Sequence, residues 1–208
     1  MADEVAQAIV WLLSEKSSFT TVGFIDVTGA SSVSEMIAIR TETPDDVVAV
    51  REVNELAFGQ PAEPDLVDKL RQSCGEALSL VAVEEARDAI VGHILFTPVV
   101  VESHGRRVVG MGLAPMAVRP DCQRKGIGSK LVRHGLRILT ERGCPFVVVV
   151  GHAQYYPRFG FEPASRHRLA SQWDGMPDEA FMVTILDQPA MTGVGGVARY
   201  RIEFDEAG

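Results

Sequence analysis

Residues 113–128 read L-A-P-M-A-V-R-P-D-C-Q-R-K-G-I-G, and the order of residue types in this stretch decides the fold. An apolar run of strand character ends at Val118 and a proline-punctuated turn follows. Gly126 and Gly128 then open a segment whose apolar residues recur at helical spacing. A strand that feeds a helix start through glycines makes an anion site. The first helical turn presents backbone N–H groups without intrahelical acceptors, at the positive end of the helix dipole. Something phosphorylated is the expected ligand.

Downstream, the helix predicted over residues 126–142 is stopped by Gly143 and Pro145. It leads into Phe146-Val147-Val148-Val149-Val150, a continuous apolar run of the kind buried on both faces of a sheet. Strand, helix and strand form a crossover, so the two strands pair in parallel. Upstream, Leu78–Glu84, residues 90–101 and Arg106–Val118 are rich in Val, Ile, Leu and Phe and are separated by short connections. They read as an antiparallel meander.

A strand over residues 36–40 and two helices come before it. Thr43-Pro44-Asp45-Asp46 is a helix opening with a capping residue, proline at the first position and acids in the first turn, and this helix runs to Phe58. The second starts near Pro64, carries Leu66, Val67 and Leu70 on one face, and ends at Cys74-Gly75. After Val150 the reading is a short helix over residues 153–158, a break at Gly160-Phe161 and a loop holding Trp173, Gly175 and Pro177. A strand over residues 181–186 follows, and then a last strand over residues 197–204 with Tyr200, Ile202 and Phe204 at period two.

The chain has 208 residues, 46% of them apolar, which suits one domain of ordinary size with an appendage. The formal charge of −8 argues against a general nucleic-acid binder, although Arg119, Arg124 and Lys125 make a local basic patch. Three cysteines, Cys74, Cys122 and Cys144, at wide spacings suggest neither a disulfide framework nor a zinc site, and no metal is expected. No apolar run approaches the roughly 20 residues of a membrane span, and Asp3 and Glu4 stand where a signal peptide is basic. A cytoplasmic location is expected, with no membrane partner.

Residues 1–35 differ from the rest. Val5, Ala8, Ile9, Leu12 and Leu13 form a helical stripe, Phe24-Ile25-Asp26-Val27 a short strand, and residues 29–34 a Ser- and Gly-rich linker. The wording E-V-A-Q-A-I-V-W-L-L-S-E-K-S-S-F-T-T-V-G-F-I-D-V-T-G-A over residues 4–30 resembles the carboxy-terminal tail of short-chain dehydrogenases. That family's nucleotide-binding glycines and catalytic Tyr and Lys do not accompany it, so dehydrogenase activity does not follow. Residues 1–35 are therefore expected to be an appendage and linker, and residues 36–208 the functional domain.

The order of elements from residue 36 to 186 resembles the GNAT superfamily of acyl-CoA-dependent N-acetyltransferases. Gln123-Arg124-Lys125-Gly126-Ile127-Gly128 satisfies that family's acyl-CoA signature, and Tyr156-Pro157-Arg158-Phe159-Gly160-Phe161 looks like its Tyr, three residues, Gly-Phe segment. A Walker-type loop is excluded, because Lys125 precedes Gly126 instead of following it.

The resemblance implies an α/β fold with a mixed sheet, strands one to four antiparallel and strands four and five a splayed parallel pair. It also implies transfer of acetyl from acetyl-CoA, as co-substrate, to a primary amine on a small molecule or peptide. Acetyl-CoA would be held by Met116, Ala117 and Val118 through main-chain groups, and by Gln123, Arg124, Lys125, Gly126, Ile127, Gly128 and Ser129 around its phosphates, with Arg119 reaching in from the preceding turn. Pro115 cannot donate to a ladder and marks a bulge where the strands part.

Tyr156 aligns with the tyrosine that protonates the departing thiolate; Tyr155 is the weaker candidate. No acid lies in the binding strand between Val108 and Val118 to serve as base. His152 has a suitable ordinary pKa and position; Glu52, Glu55 and Glu102 are more distant options, and water is another. The missing base keeps a second reading open, a non-catalytic acyl-CoA sensor or interaction module. A homodimer is also left open.

Overall fold

The computed structural model describes residues 36–206; the stripe and strand expected within residues 1–35 lie outside them. Nine strands form one mixed sheet in the order β1-β2-β3-β4-β5-β8-β6, with β7 and β9 joined to it through β3. The strands are β1 (Ile37–Thr41), β2 (Leu78–Glu84), β3 (Ala89–Ser103), β4 (Arg106–Val118), β5 (Phe146–Val150), β6 (Glu162–Pro163), β7 (Leu169–Ser171), β8 (Phe181–Ile185) and β9 (Gly196–Arg199). The helices are α1 (Val47–Phe58), α2 (Ala62–Ser73), α3 (Ile127–Glu141) and a single turn, α4 (Gln188–Met191).

β1 to β4 pair antiparallel, and β4 pairs with β5 in parallel. The expected meander and crossover are both present. The β3–β4 hairpin turns at His104 and Gly105, both at positive φ, as a tight two-residue hairpin requires.

Period-two alternation buries both faces of the sheet. Leu80, Ala82, Ile94, Phe96, Val147 and Val149 point to α3, which answers with Ile127, Leu131 and Leu139. On the other face Val81, Val83 and Leu95 meet Val50 of α1 and Leu66, Val67 and Leu70 of α2. Farther along that strand parity Val99, Val101, Phe146 and Val148 pack with Leu169, Phe181, Ala198 and Tyr200, which the carboxy-terminal segment brings round from the β8 edge. Gly135 in mid-helix is set by this packing, since a Cβ there would lie 2.4 Å from Phe96 Cε2. The glycine costs the isolated helix about 1 kcal/mol and lets α3 sit close on the sheet.

A polar chain pins α1 to the sheet. Asn54 donates to Val50 O at 2.8 Å and faces His93 Nδ1 at 3.1 Å, His93 Nε2 meets Ser79 Oγ at 2.9 Å, and Ser79 donates to Glu42. Arg71 Nε closes the chain on Glu42 at 2.9 Å. Since Asn54 donates to His93 Nδ1, the imidazole is neutral with its proton on Nε2. Burial, helped by the Arg71 charge, holds the His93 pKa down to about 3.

Two expectations for the end of the chain are corrected. The region read as a loop before residue 181 contains β6 and β7, too short to leave a periodic signal. The last strand stops at Arg199, and Ile202–Phe204 is a 3-10 turn. Side chains divert the chain there: Tyr200 N donates to Gln172 Oε1 at 2.6 Å, and Arg201 reaches Ser73 O at 3.2 Å and Glu203 at 2.7 Å. These bonds replace the ladder partners that a longer strand would need.

Candidate active site

The β4–β5 ladder holds only from Met111↔Val147 to Leu113↔Val149. Past that point β4 bulges. Ile94 of β3 pairs with Met116 while Phe96 pairs with Leu113, so one extra β4 residue is accommodated at Ala114 and Pro115. The bulge expected from Pro115 is there. Beyond Leu113 the β4 backbone no longer pairs with β5, and the chain runs on from there to the α3 start.

At that start Gly126 is the N-cap, at φ +83, and its carbonyl receives the Lys130 N–H at 3.0 Å. The N–H groups of Ile127, Gly128 and Ser129 therefore lack intrahelical acceptors, and no side chain caps the helix. A Cβ on Gly126 would meet nothing within 4 Å, so conformation, and not space, calls for this glycine. Arg124, at φ +63, shares the left-handed backbone that turns successive N–H groups toward one point. Gln123 Nε2 donates to Val118 O at 3.0 Å and ties the loop to the end of β4. The structure thus brings residues 116–118 and 123–129 together as the sequence suggests.

Gly128 is set by space. A Cβ there would lie 2.8 Å from the Tyr155 hydroxyl and 3.5 Å from Met116 Cε. Tyr155 is the tyrosine that reaches the cradle, where it hydrogen-bonds with the Ser129 side chain. Burial pushes its phenol pKa up, partly offset by Ser129 and by the charges of Arg158 and Arg133. Arg158 stacks on its ring with Cζ 4.8 Å from the centroid.

Tyr156 packs edge to face beside Tyr155 in the same core cluster, with the two rings at 87°. It is buried beside Gly151, where a Cβ would lie 2.3 Å from Tyr156 Cε2, and its ring centroid is 5.6 Å from that of Phe161. Burial first, then Tyr155, raises its pKa well above the ordinary phenol range, so the hydroxyl holds its proton at any working pH. His152, at the end of β5, is half-buried, and its carbonyl receives the N–H of Tyr155 at 3.0 Å and of Tyr156 at 3.4 Å. Burial lowers its imidazole pKa, which favours the neutral, proton-accepting form.

The other charged candidates are placed elsewhere or engaged. Arg119 is engaged by Asp121, through Nε at 3.2 Å and Nη2 at 3.1 Å. Glu55 pairs with Arg51 at 2.9 Å, and Glu102 lies across from Arg107 far along the β3–β4 hairpin. Two open surface recesses are formed by the carboxy-terminal segment. One, of about 280 Å³, is lined by Gln172, Arg199, Tyr200, Ile202 and Asp205, and the other, of about 190 Å³, lies beside Arg168 and Met191. Among the described residues no group of His, Cys, Asp and Glu is placed to hold a metal ion, and no helix is long and apolar enough to cross a membrane.

Residues 38–164 match the family model described as acetyltransferase (GNAT) domain. The chain is 36% identical over 167 residues to the uncharacterized N-acetyltransferase YhbS of Escherichia coli K12, covering 80% of this chain and 98% of that protein. It is 44% identical over 157 residues to the uncharacterized N-acetyltransferase YjhQ of the same organism, covering 73% and 86%. A further 28-residue match, 68% identical, is to 11% of the uncharacterized oxidoreductase YgfF of Escherichia coli K12.

Among solved structures, Escherichia coli YhbS in complex with CoA superposes with a TM-score of 0.76 at 32% identity, covering 85% of this chain and 96% of that one. A GNAT family acetyltransferase from Brucella melitensis in complex with acetyl-CoA gives 0.65 at 33% identity, covering 82% and 99%.

Proposed function

The chain belongs to the GNAT acetyltransferase family, and from that premise we propose that it transfers an acetyl group from acetyl-CoA to a primary amine. The observation that carries the proposal is the α3 start, whose first N–H groups lack intrahelical acceptors, reached from a β4 that has left its ladder with β5. Ile127, Gly128 and Ser129 would bind the pyrophosphate through backbone N–H groups, with Arg124 and Lys125 adding charge at the rim. Gln123 holds that loop on Val118 O. Met116, Ala117 and Val118, past the last β4–β5 pair, would bind the pantetheine arm through main-chain groups.

The acceptor amine attacks the thioester carbon while a β4 N–H stabilises the developing oxyanion. As the C–N bond forms the C–S bond breaks, and the leaving thiolate takes the phenolic proton of Tyr156. Its raised pKa means that the hydroxyl is protonated when the thiolate forms. The same shift makes it a weak acid, so it first stabilises the departing sulfur by a hydrogen bond and passes its proton afterwards. The proton lost by the amine goes to His152, whose depressed pKa leaves it neutral at pH 7. On this scheme Tyr155 binds and positions, closing the cradle beside Gly128 and Ser129.

The reaction is tested by following free CoA released on incubation with a panel of amines. Release with at least one amine supports the proposal, and release with none across the panel overturns it. We read residues 4–30 as a short-chain dehydrogenase tail joined to this domain, a reading supported by the 28-residue oxidoreductase match. Removing residues 1–35 should leave acetyl transfer and the number of chains per particle in solution unchanged. Fewer chains per particle after deletion would instead make the segment a docking element.

A further inference from the structure

The chain carries a formal charge of −8, yet between Asp121 and Glu162 its one acid is Glu141, amid recurring Lys and Arg. Glu141 is itself engaged by Arg137 at 2.6 Å. The stretch from the cradle through α3 to the turn after β5 is therefore a positive strip on an acidic protein. Its field has the sign that draws a polyanion.

Two guanidinium groups of that strip are held in place by aromatic rings. Arg133 stands over Phe159 with Cζ 5.3 Å from the ring centroid, as Arg158 stands over Tyr155 at 4.8 Å. The rings of Tyr155 and Phe159 are in turn 5.3 Å apart, so the two cations sit on neighbouring rings.

Those rings adjoin the cradle. The Tyr155 hydroxyl bonds with the Ser129 side chain and lies 2.8 Å from where a Gly128 Cβ would stand. Arg133 follows Ser129 by four residues on α3, hence on the same face and one turn, about 5.4 Å, further along. Burial raises the Tyr155 pKa, and the charges of Arg158 and Arg133 both act against it, so both cations reach the phenol.

Neither guanidinium is neutralised. Both side chains are exposed, and among the described residues no carboxylate pairs with either; Arg158 Nη2 donates to the Gln154 carbonyl at 3.4 Å. Like charges on neighbouring rings repel, and an anion bound between them relieves the repulsion. Stacking fixes the plane of each guanidinium and leaves the N–H groups at its edge for a phosphate.

The helix start accounts for the pyrophosphate of a CoA ester. CoA carries one further phosphate, a monoester on the ribose 3′ oxygen, one sugar away from the pyrophosphate. Resting on the acetyltransferase reading above, we propose that Arg133 and Arg158 form the subsite for this 3′-phosphate and make the chain select CoA over its 3′-dephospho form. The pyrophosphate stays on Ile127, Gly128 and Ser129, and the ribose bridges one helical turn.

The test titrates the full chain with acetyl-CoA and with acetyl-3′-dephospho-CoA by calorimetry at one low ionic strength, as wild type, Arg133→Gln, Arg158→Gln and the double variant. Wild type should prefer acetyl-CoA about 100-fold and each single variant about tenfold, while the double variant should bind the two esters within about threefold. Affinity for the 3′-dephospho ester should stay within about twofold throughout, which a general loss of structure would not allow. Arg137→Gln, whose cation is already engaged by Glu141, should keep the wild-type ratio. Equal binding of the two esters by the wild type would overturn the proposal, as would a ratio unchanged in the double variant. A ratio that falls as far in Arg137→Gln would overturn it too, since the strip would then act as an undirected field. Wild-type protein that binds neither ester would overturn the acetyl-CoA reading itself.

Discussion

On the α3 face of β4 the elements of recognition are neighbours in the chain: Met116, Gln123, Gly126, Gly128 and Ser129 follow one another within a strand, a loop and a helix start. On the opposite face the buried polar side chains that hold the fold are scattered along the chain, with Asn54 on α1 and His93 and Thr97 on β3. On the proposed reading the first face would recognise phosphate through the backbone, by glycine conformation and N–H groups without intrahelical acceptors. The second is held by side chains brought together only by the folded sheet. The proposed cofactor end is therefore written as a local motif, whereas the polar core of the other face exists only as tertiary structure.

The largest effect that divides the two sides falls at the tyrosine pair. Tyr156→Phe should lower kcat about 100-fold or more, as expected for loss of a general acid, while acetyl-CoA affinity measured by calorimetry stays within about twofold. Tyr155→Phe should do the reverse, weakening acetyl-CoA binding with little loss of kcat. Exchange of these two outcomes would exchange the roles.

Gly128→Val comes next. The added Cβ meets the Tyr155 hydroxyl at 2.8 Å, and displaced N–H groups lose charge-assisted bonds to phosphate, so acetyl-CoA affinity should fall about 10- to 100-fold. Retained affinity would move the phosphates off the helix start.

Acid stability probes the other face. The His93 pKa is near 3 in the folded protein against about 6.5 when unfolded. Below pH 6.5 the unfolded chain takes up a proton that the folded chain refuses. Stability is whole above that pH and is lost toward pH 3, by about 2 kcal/mol between pH 6.5 and pH 5. Glu203, held down to about 2 first by Arg201, adds its own loss below the ordinary carboxylate range. Urea unfolding at the two pH values measures the slope, and His93→Gln should flatten it. An equal slope in that variant would mean that His93 is not the group responsible.

The smallest effect is at the rim. Arg124→Ala should weaken acetyl-CoA binding about two- to threefold at low salt and less at high salt, because an exposed charge is screened. An effect independent of salt would place Arg124 inside the phosphate site.

The same contrast explains what the sequence makes legible. β2, β4 and β5 are readable to the residue because each is an apolar run closed by turn residues, and Pro115 signals its bulge because a proline cannot join a ladder. The cradle is readable for the same local reason. Thr97 and His93 look like unremarkable polar interruptions of a strand, and Asn54 looks like the wet side of a helix, until β2, β3 and α1 are packed. Tyr200 follows a true period-two alternation, yet the bond from its N–H to Gln172 Oε1 ends the strand and swings the ring over Gly112. Tyr155 and Tyr156 are adjacent in sequence, and only the folded chain shows that Tyr155 is the ring against Gly128 and Tyr156 the ring against Gly151.

The central claim is that the uncapped start of α3 binds the phosphates of acetyl-CoA, and titration calorimetry tests it directly. Saturable binding of one acetyl-CoA per wild-type chain is expected, lost when Gly126→Val removes the left-handed N-cap. Absence of binding to the wild type at millimolar acetyl-CoA, or equal binding by the variant, would contradict it.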